Sequence, residues 1–195
     1  MNLPNVITLS RIPCMFAIVG FMYCSWPGDA SLAFWLFIAA AVGDWLDGHL
    51  ARKRGVVSNF GKLMDALTDK IMVMGLVIAF VDQHVLPVAL ALITLCREFL
   101  ITGLRMVVAA KGVVVPADRG GKSKTVTQLI ALGFLLGAPM AGRDWSRLVS
   151  RDLTAFSESA RSVGIAIFIL GTVLAVWSGW RYVARYRSLI FGPND

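Results

Sequence analysis

Residues 44–69 read D-W-L-D-G-H-L-A-R-K-R-G-V-V-S-N-F-G-K-L-M-D-A-L-T-D, and four of the chain's twelve acidic residues fall there, between apolar runs. The spacing is D-x-x-D-G-x-x-A-R, then eight residues, then G-x-x-x-D-x-x-x-D. On a helix Asp44, Asp47, Gly48 and Ala51 stand at i, i+3, i+4 and i+7, which is one face. Gly61, Asp65 and Asp69 stand at i, i+4 and i+8, again one broad face. Two helices that each carry two carboxylates on the side of their small residues can build a cation site with room for a ligand beside it. A charge at the centre of a membrane helix costs roughly 2.5–3.5 kcal/mol on insertion scales, so four unpaired ones would cost on the order of 10 kcal/mol. The carboxylates therefore lie near water, or hold divalent cations, or both. Hard oxygen donors suit Mg²⁺, Mn²⁺ or Ca²⁺. The plainer alternative is solvated helix ends paired with Arg52, Lys53, Arg54, Lys62 and Lys70. It does not explain four acids on two small-residue faces.

Around this stretch the composition is that of a membrane protein. The chain has 195 residues, 57% hydrophobic and 16% charged, against roughly 25% charged in soluble domains. Its mean hydropathy is +0.70. The length accommodates about six helices of roughly 20 residues, all-α, in a single domain over 1–195. The net charge of +7 suits anionic headgroups or phosphorylated substrates, and no nucleic-acid-binding module is present. Cys14, Cys24 and Cys96 sit singly in apolar sequence and read as small buried hydrophobes, neither a disulfide framework nor a zinc site. His49 and His84 offer no paired ligand set.

In chain order, residues 2–11 lack a basic n-region and read as a brief interfacial helix rather than a signal peptide. Asn5, Thr8 and Arg11 share a face, either a headgroup-facing stripe or one wall of a polar pocket. Spans are expected at about 12–26, 31–51, 61–81, 86–109, 125–140 and 162–181. Loops are expected at 51–60 and 111–124, and an interfacial helix near Trp145 is possible in the polar segment 141–161. With six spans, the termini and both basic loops share one side, which the positive-inside rule makes cytoplasmic. The four aspartates then lie at the cytoplasmic ends of the second and third spans. Carboxylate-held cations polarise phosphoryl oxygens, a spare carboxylate can take a proton from a hydroxyl, and the adjacent Arg52 can grip phosphate bidentately. The reaction class is phosphoryl transfer at a membrane surface.

The pattern resembles the signature of the CDP-alcohol phosphatidyltransferase family, and every fixed position is present: Asp44, Asp47, Gly48, Ala51, Arg52, Gly61, Asp65 and Asp69. The resemblance implies transfer of a phosphatidyl or similar group from a CDP-linked donor to an alcohol with release of CMP, using Mg²⁺ or Mn²⁺, by a homodimer in the cytoplasmic (inner) membrane. It implies that Asp44, Asp47, Asp65 and Asp69 are metal ligands and that Asp69 is also the general base. It places Gly48, Ala51, Arg52 and Gly61, with Asn5 and Thr8, against the CDP-lipid. Arg97 and Arg105 stand eight apart in an otherwise apolar helix, which is expensive unless they face a polar cavity. They can equally snorkel, or in the case of Arg97 pair with Glu98. With Thr102, Lys122 and Lys124 they form a candidate cationic pocket for an acceptor that carries phosphate. The runs N-L-P-N-V-I-T-L-S-R-I, R-E-F-L-I-T-G-L-R and G-K-S-K-T are similar to the branch that joins CDP-diacylglycerol to glycerol 3-phosphate. Serine, inositol phosphate or phosphatidylglycerol as acceptor, or a divalent-cation transporter, are the rival expectations.

Overall fold

The computed structural model describes residues 3–54, 59–111 and 119–187, with residues 3–9, 44–54, 59–66, 69, 110 and 119–124 described by their backbone alone. All regular structure in the described residues is helical. Helix α1 spans Leu3–Tyr23. It runs unbroken where a separate interfacial helix was expected over 2–11, and Pro13 lies inside it. Proline removes one N–H from the ladder, and in a membrane helix neighbouring helices make that loss tolerable. Gly28, at φ +94°, takes the left-handed turn into α2, Asp29–Arg54. Helix α3 spans Asn59–Asp82 and α4 spans Val88–Ala110, with Pro87 at its N-cap. The intervening turn places His84 at φ 55°, a loop position as expected.

Helix α5 spans Arg119–Pro139, so the basic run 119–124 forms its opening turns rather than the loop expected there. Three good helix formers, Arg119, Lys122 and Lys124, outweigh the two glycines between them. Past Pro139 the chain widens into a π-helical turn, Met140–Trp145, followed by the short α6, Ser146–Val149. Ser157 donates its hydroxyl to the Ala138 carbonyl at 2.7 Å, an outside donor of the kind a disturbed ladder needs. Helix α7 spans Thr154–Arg185 and begins eight residues before the expected span. Just before it, Asp152 accepts from the Thr154 hydroxyl and N–H. These two bonds, the hydroxyl foremost, hold its carboxyl below the usual range.

Pair contacts give the helix directions. Cys14 meets the Leu36 carbonyl, Met15 lies against Gly75, and Gln83 donates to the Met22 carbonyl at 2.9 Å. So α1 runs antiparallel to α2 and parallel to α3. Phe37 lies over Gly133 and Phe34 over Gly137, which sets α5 antiparallel to α2; Leu135 against Gly164 and Gln128 against Gly171 set α7 antiparallel to α5. Thr94 meets Thr172 and Ile101 meets Gly179, so α4 and α7 descend together. The core is formed by Ile18, Phe37, Phe80, Leu132, Leu136 and Phe168, all fully buried.

The perimeter is apolar. Phe99, Leu100 and Met106 on α4 and Val173, Trp177 and Trp180 on α7 are exposed. A continuous apolar surface of this kind belongs against another apolar medium. Among the described residues, 125–149 and 154–185 are long and apolar enough to cross a bilayer, and 10–23 and 29–43 are shorter apolar helical stretches. Cys14 and Cys24 are half-buried and Cys96 is exposed, so the expectation of three buried cysteines fails for Cys96, on the outer face of α4. None is in a disulfide.

Candidate functional site

The helix directions bring the predicted site residues to one end of the bundle. That end collects the start of α1 with Asn5 and Thr8, and the end of α2 with Asp44, Asp47, Gly48, Ala51 and Arg52. It also collects the start of α3 with Gly61, Asp65 and Asp69, the lower half of α4, and the start of α5 with Lys122 and Lys124. Both halves of the aspartate motif are helical in backbone, as the spacing predicts. The side chains of these twelve residues lie outside the described residues. Among the described ones no three His, Cys, Asp or Glu side chains come together. As a donor set the four aspartates fit a hard divalent cation, since carboxylate oxygens are what Mg²⁺ and Mn²⁺ take. Arg11, the third member of the α1 stripe, is buried at 4% exposure. That places Arg11 in the bundle interior and not among headgroups.

On α4 the structure separates the candidate acceptor residues. Arg97 is turned toward α7: its Nε donates to the Ala175 carbonyl at 2.8 Å and its Nη2 to the Ser178 hydroxyl at 3.3 Å. Its Nη1 pairs with Glu98 at 3.0 Å, with both side chains largely buried. Gly179 lies against this side chain: a Cβ there would stand in ordinary van der Waals contact, 3.5 Å from the Arg97 Nε and 3.4 Å from Ile101. One turn up, Thr94 and Thr172 share a buried hydrogen bond at 3.3 Å, and Thr172 also donates to the Phe168 carbonyl. Arg105 is exposed, and its guanidinium lies 5.7 Å from the centroid of the Tyr182 ring, within cation–π range. Thr102, between the two arginines, is half-buried.

Arg97 is thus held by a neutral carbonyl, a hydroxyl and its own neighbour's carboxylate, which satisfies most of its fork of donors in a low-dielectric interior. Among the described residues, the contact printed for Arg105 is the Tyr182 ring face, at the end of the bundle where the motif lies. The partners on α7 were not expected from the sequence. Their only trace there is a stripe of small residues, Gly171, Ala175, Ser178 and Gly179, followed by Tyr182, at helical spacing. Such a stripe marks close helix packing, and gives no sign of which polar group it admits.

The opposite end of the bundle is closed by its own polar set. Asp144, in the π-helical turn, accepts from the Gly28 N–H at 3.2 Å and from the Ser31 N–H and hydroxyl at 2.7 Å, capping α2 from 113 residues away. Arg143 stands 3.4 Å from the buried Asp29, and Tyr23 donates to Asp82 at 2.6 Å. These contacts tie α1, α2, α3 and the π-helical turn together at the end away from the motif. They hold the frame and add no second cluster of candidate catalytic groups.

The comparisons agree with this geometry over almost the whole chain. The family model described as CDP-alcohol phosphatidyltransferase matches residues 1–177. The chain is 36% identical over 196 residues to the CDP-diacylglycerol–glycerol-3-phosphate 3-phosphatidyltransferase of Bacillus subtilis, covering 94% of each protein. It is 33% identical over 181 residues to the protein of the same name from Rickettsia bellii, covering 93% of each. With that of Treponema pallidum it shares 36% identity over 167 residues, 83% of this chain and 71% of the relative. An all-helical bundle carrying all eight fixed motif positions on α2 and α3, matched over residues 1–177, belongs to the CDP-alcohol phosphatidyltransferase family.

Proposed function

We propose that the protein transfers the phosphatidyl group of CDP-diacylglycerol to glycerol 3-phosphate, giving phosphatidylglycerol phosphate and CMP, as a step of phospholipid biosynthesis. The observation that carries this reading is the unbroken aspartate motif on two successive helices, in a chain whose relatives, aligned over nearly its full length, bear that activity in their names. The membrane setting agrees with the apolar perimeter. In this reading the chain crosses the membrane six times, with both termini and the motif on the cytoplasmic side, and works as a homodimer in the cytoplasmic (inner) membrane.

Asp44, Asp47, Asp65 and Asp69 would hold Mg²⁺ or Mn²⁺, which when bound supplies positive charge to phosphoryl oxygens. The remaining work belongs to the chain. Gly48, Ala51 and Gly61 leave space for the pyrophosphate to approach the helix backbones. Arg52 grips its oxygens, and a guanidinium does so in a fixed orientation. Asn5 and Thr8 offer hydrogen bonds to the donor from α1. Arg105, Lys122 and Lys124, with Thr102, bind the phosphate of the acceptor at the lower ends of α4 and α5, and Arg97 braces that wall against α7. Asp69 takes the proton of the sn-1 hydroxyl. The freed oxygen bonds to the lipid-side phosphorus, the bond from that phosphorus to the bridging oxygen breaks, and CMP carries the bridging oxygen away.

The test is CMP release by the purified protein in detergent with CDP-diacylglycerol and Mg²⁺, offering glycerol 3-phosphate, serine, inositol phosphate and phosphatidylglycerol one at a time. Release with glycerol 3-phosphate alone, abolished by EDTA, is the expected result. Release with serine would discard the cationic pocket and keep the aspartate site, and release with inositol phosphate or phosphatidylglycerol would change the acceptor and keep both. No release with any acceptor would overturn the reaction itself.

A further inference from the structure

At the end of the bundle away from the motif, α6 closes the rise of α5 and the chain turns back toward α7 through Ser150, at φ 51°. Ser146 fastens that turn: its carbonyl accepts from the Arg151 N–H at 3.2 Å, and its hydroxyl donates to the Arg151 carbonyl at 2.6 Å. The fastened turn displays apolar side chains outward. Trp145, Leu148 and Val149 stand at i, i+3 and i+4, on one face, and all three are exposed, Leu148 at 82%. Arg147 and Arg151 are exposed on the same turn. The acids on either side, Asp144 and Asp152, are taken up by Gly28 and Ser31 and by Thr154 rather than by these guanidiniums.

The level of the turn follows from the helices that carry it. Ser157 on α7 lies level with Ala138 and Gly142. From Ser157 down to the exposed Trp180, α7 covers about 35 Å, and from Gly142 up to Leu148 the chain rises about 9 Å more. The sum, roughly 43 Å, matches the roughly 40–45 Å of a bilayer with its headgroups and exceeds the roughly 30 Å of hydrocarbon. Tryptophan favours the two interfaces. With Trp177 and Trp180 at the interface on the motif side, Trp145, with the exposed Tyr23 and Trp26, stands at the opposite one, and Leu148 lies one turn beyond it in the headgroup layer.

We infer that this turn is an interfacial anchor that docks on the headgroup layer of the leaflet opposite the motif, with acidic phospholipid as its partner. Leu148 and Val149 reach the boundary between headgroups and acyl chains, the depth at which an apolar helical face settles. Arg147 and Arg151 take lipid phosphates, which a guanidinium grips bidentately. The phosphate of a zwitterionic lipid is already met by its own ammonium, whereas an acidic lipid leaves its charge open to the arginines. The anchor also sets the depth of the motif. Asp144 is tied to Gly28 and Ser31 at the start of α2, and Asp44 stands about 22 Å further along that helix. The inference rests on the membrane setting and not on the reaction or acceptor proposed above.

The double variant Arg147→Gln, Arg151→Gln tests the partner. Melting temperature is measured in a non-ionic detergent with added dioleoyl phosphatidylglycerol or the same amount of dioleoyl phosphatidylcholine. The unaltered protein is expected to gain more from phosphatidylglycerol, and the double variant to lose at least half of that difference while melting normally without lipid. No preference in the unaltered protein, or the full preference in the variant, overturns the inference. Depth is tested separately by nitroxide labels on Leu148→Cys and, at mid-span of α7, Leu170→Cys, with Cys14, Cys24 and Cys96 changed to alanine. In vesicles containing phosphatidylglycerol, collision with oxygen relative to a water-soluble nickel chelate reads how deep each label lies. The value at 148 is expected between that at 170 and that of free label in buffer. A value equal to buffer places the turn in water, and one equal to that at 170 buries it among acyl chains; either result overturns the anchor.

Discussion

At the scale of single residues, two arginines eight positions apart on one helix have different environments. Arg97 is engaged by Ala175, Ser178 and Glu98, and Arg105 rests on the Tyr182 ring. Arg97→Leu therefore removes the guanidinium beside Glu98 and the donor to two α7 acceptors. The variant is therefore expected to melt at a lower temperature in detergent and to show both Michaelis constants raised together. Arg105→Gln is expected to keep the melting temperature and raise KM for glycerol 3-phosphate at least tenfold more than KM for the lipid. Equal effects on both substrates would remove Arg105 from the acceptor pocket. Asp69→Asn keeps a side chain of the same size and loses the proton acceptor. Turnover is expected to fall by about 10²–10⁴-fold, with an unchanged gel-filtration profile, and near-normal turnover would refute the role. Both arginines were candidates in the sequence because charge in an apolar helix is conspicuous. Their division of roles was not, because it depends on α7 residues some eighty positions later.

At the scale of elements, the joint between α5 and α7 governs the far end of the bundle. The π-helical turn carries Asp144 to the start of α2 and Arg143 to Asp29. It also brings Gly142 against α7, where a Cβ would lie 2.8 Å from the Ser157 Cβ and 2.7 Å from its hydroxyl. The Ser157 Cβ is fixed to its backbone and cannot swing aside. Gly142→Ala is thus expected to destabilise the fold by about 1–3 kcal/mol, the usual cost of overpacking, seen as a lowered melting temperature in detergent. An unchanged melting temperature would mean the turn relaxes freely. The sequence marked the segment 141–161 only as polar and mixed in charge, with an interfacial helix near Trp145 as one possibility. The capping role of Asp144 has no local signature, since its partners Gly28 and Ser31 are more than a hundred residues earlier.

At the scale of the whole molecule, the descending helices α2, α4 and α7 end at the same level at which α1, α3 and α5 begin. With Arg181 and Arg185 at the end of α7 and Arg119, Lys122 and Lys124 at the start of α5, the motif end of the bundle is the more basic one. In sealed inside-out vesicles, a tag at the C-terminus is therefore expected to be cut by added protease, and one inserted after Arg151 to be protected. The reverse pattern would invert the topology and move the aspartates away from the cytoplasm.

The sequence by itself determined the helical class, the order and approximate extent of the helices, the aspartate motif and the family. Each depends on spacing within one or two helices, and a carboxylate's chemistry is the same wherever the helix is placed. Only the tertiary structure decided which side chains meet across helices: Arg97 with Ser178, Asp144 with Ser31, and the glycines of α5 with the rings of α2. Those meetings depend on how close two backbones come, which is settled by small residues on both partners at once and cannot be read from either helix alone.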